Sequence, residues 1–210
     1  MSEIVNLDEN KIIQVLNGCY DKALNGIPVV SESVKELANN YIEKYGRTDK
    51  AITKLINYQI AKCGTSGFLT GVGGLITLPV AIPANISSVM YVQLRMIAAI
   101  AYIRGFNPSD DEVRTLAYAC LTGSAMIDIL KSAGINFSQK LTISMIKKIP
   151  GTVLTKINQK VGFRFITKFG EKGIVNLGKT VPLVGGVIGS TMDIFSTKTI
   201  ADNAKSIFVL

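Results

Sequence analysis

Residues 63–94 read CGTSGFLTGVGGLITLPVAIPANISSVMYVQL, thirty-two positions without a charged side chain between Lys62 and Arg95. A bilayer crossing takes about 20 apolar residues in unbroken helix, so a stretch of this length first suggests a membrane span. The sequence interrupts it. Gly71, Gly73 and Gly74 weaken a helix from within, while Pro79 and Pro83 withhold backbone donors and push the preceding residues toward extended conformations. The segment therefore reads as an apolar bend feeding a helix, with Phe68, Leu69, Leu75, Ile76, Leu78, Val80 and Ile82 as its core or insertion residues. Burial in a helical core and insertion into a membrane surface both remain open.

Downstream, residues 84–104 form a long helix in this reading. At about 100° per residue, Asn85, Ser88, Tyr91, Arg95 and Tyr102 share a face, and apolar residues cover the rest. Lipid on all sides would place Arg95 near mid-membrane at a cost of roughly 2.5–3.5 kcal/mol, so the polar face should meet protein or water. A buried Arg95 needs a counter-ion. Asp128 and Asp193, the acids in otherwise apolar surroundings, are the expected partners; the alternative is a side chain that reaches solvent along the polar face. Gly105 to Pro108 turns the chain, and Ser109-Asp-Asp-Glu112 has the capping-box pattern for a helix over 110–132.

Upstream, residues 1–62 alternate polar and apolar with helical period. They predict three amphipathic helices, the second opened by the capping box Ser33 to Glu36, the third running from about Thr48 to Gly64. The expected organisation is all-α, with helices of residues 1–62 packing on a core formed by residues 63–210.

Composition narrows the chemistry. Histidine is absent, which removes the commonest metal ligand and the base of Ser-His and Cys-His catalysis, so no metal, cofactor or catalytic residue is expected. Cys19, Cys63 and Cys120 are odd in number and widely spaced, which fits reduced buried thiols in the cytoplasm; the polar, acidic start MSEIVNLDEN agrees.

Of the net charge of +8, residues 131–180 hold +9, ten basic side chains against Glu171 alone. Such an excess attracts polyanions. Helices are expected over 138–149 and 152–169, split by Pro150-Gly151. Lys156, Lys160, Arg164, Lys168 and Lys172 recur every fourth residue and so stripe one side of a helix, where like charges repel until an anionic partner relieves them. Phe163, Phe165, Ile166 and Phe169 interleave with the stripe, the apolar-plus-basic pattern of a helix lying on anionic membrane. Phe165 and Phe169 are the apolar residues assigned to that surface. A solvated face on an ordinary helix has the same pattern, and no nucleic-acid motif accompanies it.

Gly67 with Gly71, and Gly185 with Gly189, stand four apart, a spacing that lets helices approach to backbone contact or arises by chance among nineteen glycines. Gly173-Ile-Val-Asn-Leu-Gly178-Lys179-Thr180 satisfies the phosphate-loop pattern. Bulky Ile174, Val175 and Leu177 do not suit a loop that curls around phosphate, and coincidence explains the match as well.

The order of GVGGLITLPVAIP, a long apolar helix with Gln93 and Arg95 ending in AYIRGFNPSDDE, then VPLVGGVIGSTMD and TIADNAKSIF, resembles the EcsC protein family over roughly residues 60–208. The resemblance implies an all-helical, membrane-associated accessory protein of bacteria, named for an ABC-transporter operon, and transfers no active-site residue. Ala81 stands where related segments often carry an acid between the two prolines. The expected function is attachment to anionic lipid at the inner face of the cell membrane, with a membrane protein or a second copy as further partners. A pore-forming effector, a soluble interaction module and a nucleotide-binding protein are the alternatives.

Overall fold

The structure, a computed structural model, describes residues 9–63, 84–135, 141–169 and 187–209; the side chains of 63, 84–86, 168–169 and 187–196 lie outside that description. Three amphipathic helices come first: α1 (Glu9–Asn25), α2 (Val34–Tyr45) and α3 (Asp49–Cys63). Their starts follow the local chemistry. The Ser33 hydroxyl accepts the Glu36 N–H at 3.2 Å and the Glu36 carboxylate accepts the Ser33 N–H at 2.8 Å, which forms the expected capping box. At α3 the Thr48 hydroxyl accepts the Ala51 N–H at 3.3 Å.

Helix α4 (Ala84–Ile103) follows and is the centre of the molecule. Every residue from Met90 to Ala101 is buried, on all faces. A helix buried all round must be enclosed by lipid or protein, and here α1, α2 and α3 supply protein on one side. The same contacts bring residues of α1–α3 and α4 into one hydrophobic core.

The remainder is α5 (Asp111–Leu121), a 3₁₀ turn (Gly123–Ala125), α6 (Met126–Ser132), the single turn α7 (Ile143–Ile146), α8 (Gly151–Phe169) and α9 (Val187–Ile207). Helices α5 and α9 complete the wall around α4, and α8 packs against α1, α5 and α6. The fold is all-α; among the described residues the extended backbone amounts to one isolated bridge, Ile27 to Ser31.

Three helical expectations are corrected. The single helix over 110–132 breaks at Gly123, which takes φ +63°, a left-handed conformation that ends a helix. Asn203 of α9 holds the break by donating to the carbonyls of Cys120 at 3.2 Å and Gly123 at 2.8 Å. Nor does Ser109 cap α5: the N-cap is Asp110, with no side-chain cap bond, and its carboxylate accepts the Asn107 amide at 2.6 Å. The helix expected over 138–149 is reduced, in its described part, to α7, whose first turn is held by the Thr142 hydroxyl accepting the Met145 N–H.

Inside the core, Tyr20 meets Tyr118 edge to face at 5.7 Å between centroids. Their hydroxyls are not stranded: Tyr20 donates to the Pro108 carbonyl at 2.9 Å and Tyr118 to the Asn17 side chain at 2.7 Å. Cys19 and Cys120 are buried free thiols. Burial pushes the Cys19 thiol up to about 12 and raises Cys120 as well, so neither is a nucleophile.

Arg95 finds a partner other than Asp128 among the described residues, while a pairing with Asp193 lies outside them. Its guanidinium donates to the backbone carbonyl of Glu32 and, at 3.4 Å, to that of Ala23, and lies 3.7 Å from the Glu32 carboxylate. Asp128 is exposed on α6, and the Asp193 side chain is outside the described residues. Arg95 extends to the edge of the core and there meets an acid that stays half in water.

Candidate functional site

Helix α8 sorts its residues by phase. Ile157, Val161 and Phe165, at four-residue spacing, are buried against the bundle. Lys156, Lys160 and Arg164 stand one position earlier, about 100° around the helix, and all three are exposed. Together with Glu9 at the start of α1 and Asp128 on α6 they line a groove of about 740 Å³.

Gly162 sets how closely α8 approaches α1. A Cβ at this position would stand 3.2 Å from both the Cβ and the carbonyl oxygen of Glu9, tighter than ordinary van der Waals contact. The predicted glycine pairs lie outside this description: Gly67, Gly71 and Gly185 are outside the described residues, and Gly189 is on α9 where side-chain surroundings are not described. The close approach between helices at Gly162 is made by a lone glycine whose sequence context carries no i,i+4 partner.

The assignment of Phe165 to a lipid-facing surface is corrected. It is 5% exposed and belongs to the core stripe, whereas Phe163, two positions earlier and about 200° around the helix, is 60% exposed on the rim of the groove. The signal was present in the sequence as the apolar spacing Ile157, Val161, Phe165, which fixes the inward face. Ile127 on α6, 45% exposed, is a second large apolar side chain left in water.

Of the remaining predicted residues, Lys168 and Phe169 lie on α8 with side chains outside the description. Lys172, the apolar set Phe68, Leu69, Leu75, Ile76, Leu78, Val80 and Ile82, and the phosphate-loop residues Gly173, Gly178, Lys179 and Thr180 are outside it entirely. Among the described residues there is no strand for a phosphate loop to follow and no group of His, Cys, Asp and Glu that could hold a metal ion. Nor is any described helix long and apolar enough to cross a membrane.

The fold and groove define a class: an all-α bundle around a central helix enclosed from Met90 to Ala101, with a basic amphipathic helix on its flank. The model of the EcsC protein family matches residues 6–210, and the chain belongs to that family. The match begins well before the residues that carry the resemblance and so takes in α1–α3. No curated protein and no solved structure matches the chain.

Proposed function

We propose that this protein is a peripheral, non-catalytic membrane-binding protein that lays α8 on anionic lipid at the cytoplasmic face. The observation that carries the reading is the outward convergence of Lys156, Lys160 and Arg164 on one groove with Phe163 exposed at its rim. Cations near an anionic surface contribute about 1 kcal/mol each, and burying one aromatic side chain adds roughly 1.5–3 kcal/mol. The sum, on the order of 5 kcal/mol before the opposing charges of Glu9 and Asp128 in the same groove are counted, corresponds to millimolar binding or weaker. That is reversible attachment, weakened by salt.

The enclosure of α4 favours this over insertion of that helix, because removing α4 from its neighbours would dismantle the core they share. Flotation with phosphatidylglycerol–phosphatidylcholine vesicles, against phosphatidylcholine alone, tests the reading. The protein should float with the anionic vesicles only, and Lys160→Glu with Arg164→Glu should abolish it. Equal flotation of that variant would refute the role of α8.

A further inference from the structure

A second constellation stands at the other end of α1, roughly 25 Å away along its 17 residues. Between α1 and α2 the chain makes a tight turn: the Ile27 N–H donates to the Ser31 carbonyl at 3.1 Å and to its hydroxyl at 3.0 Å. Gly26 is required there, since a Cβ would stand 2.4 Å from the Ser31 carbonyl oxygen. The tip is Pro28-Val29-Val30, and all three are exposed. Val29 is wholly in water and has φ +67°, an outlier for a β-branched residue. The base of the turn is fixed by the central helix: the Tyr91 and Ser31 hydroxyls are 2.5 Å apart, and Arg95 bonds Glu32. Strain of this kind persists only where the surroundings enforce it, and it concentrates at ligand-contacting sites.

Two residues past the tip, Glu32 enters the wall of a groove of about 400 Å³ between α2 and α3, with Tyr41, Tyr45, Tyr58, Lys44 and Lys54. Arg95 offsets the Glu32 charge, and the Asn40 amide donates to the same carboxylate at 3.0 Å. The charge left to the groove is that of Lys44 and Lys54. Lys44 stands 5.6 Å from the Tyr45 ring centre, and just outside the groove Lys50 stands 5.5 Å from the same ring and Lys62 4.7 Å from that of Tyr58. Partial burial, then the neighbouring Tyr58, Glu32 and Tyr45, raise the Tyr41 phenol, which is in any case a neutral donor at physiological pH. Ammonium groups with phenol donors suit a phosphate, and Lys44, in turning from the Tyr45 ring to a bound phosphate, would free ring surface for the carbon skeleton of a polyol.

We propose that the α2–α3 groove binds a phosphate carried on glycerol or a sugar, and that Val29 and Val30 enter the lipid interface when that phosphate is a headgroup. This site goes beyond the α8 reading and does not depend on it. The test follows ring-labelled tyrosine resonances during titration with glycerol 1-phosphate, with glycerol as control, and vesicle flotation in parallel. Glycerol 1-phosphate should shift Tyr41, Tyr45 and Tyr58, and Lys44→Ala with Lys54→Ala should weaken that binding about tenfold or more. Val29→Gly should leave the titration unchanged and weaken flotation with phosphatidylglycerol vesicles several-fold. No tyrosine shift, or the same shift from glycerol, would overturn the groove; undiminished flotation of Val29→Gly would overturn the tip. The Lys160→Glu, Arg164→Glu variant should retain the tyrosine shifts, so failure of the α8 proposal reads out separately.

Discussion

The Arg95 guanidinium, 3% exposed, lies 3.7 Å from the carboxylate of Glu32, 42% exposed. A charge at the centre of an enclosed helix is thereby connected to the surface, and the α1–α2 turn is tied to α4 by the same side chain through the carbonyls of Ala23 and Glu32. This explains how α4 carries an arginine in surroundings that otherwise exclude water.

The two partners should respond unequally to substitution. Arg95→Ala leaves buried carbonyls without a donor and should cost about 3 kcal/mol or more, in the range for breaking a buried charged contact. Glu32→Gln removes an ion pair screened by water and should cost about 1 kcal/mol or less. Urea unfolding of both variants measures the difference, and equal losses would show that the carboxylate, not the carbonyls, satisfies Arg95.

Gly162 should resist enlargement. Gly162→Leu would force α8 away from Glu9 and should destabilise by about 1–3 kcal/mol, the usual cost of overpacking. The midpoint of urea unfolding checks it, and an unchanged midpoint would mean that the start of α1 yields freely.

Asn203 should matter to the α5–α6 break more than its partial exposure suggests. Asn203→Ala removes both donors to the Cys120 and Gly123 carbonyls and should cost about 1–2 kcal/mol. Amide exchange at α5 and α6 should accelerate with it.

Much of this was legible beforehand, and the failures have a common form. The Ser33–Glu36 cap, the extent of α3 and the extent of α4 are local features, fixed by residues within a turn of each other, and they stand where the spacing puts them. The Arg95 partner lies 63 positions away in an unremarkable polar turn, and sequence composition around an acid does not reveal which helix crosses it. The break at Gly123 depends likewise on Asn203, some eighty residues on. Phe163 and Phe165 differ in another way: the phase was present, but treating the aromatic residues as one group concealed that adjacent odd positions on a helix face opposite sides.

Stability should fall as the pH rises above the ordinary thiol range. Cys19, raised from an ordinary 9.0 to about 12, stays protonated in the fold while the unfolded chain ionises. The unfolded state therefore binds fewer protons between these values, and stability falls as pH rises. The contribution is intact below pH 9 and is lost at up to about 1.4 kcal/mol per pH unit above it, with Cys120 and Tyr20 acting in the same direction. Urea unfolding at pH 8 and at pH 10 measures the loss, and Cys19→Ala should reduce its slope.

The chain contains no tryptophan, so Phe163→Trp would place a single indole on the rim of the α8 groove. On addition of phosphatidylglycerol vesicles its emission should shift to the blue and be quenched by lipids brominated near the headgroup, both effects reversing in high salt. Emission that stays at the water-exposed wavelength while the protein floats with those vesicles would contradict the account, because the membrane would then be meeting some other surface.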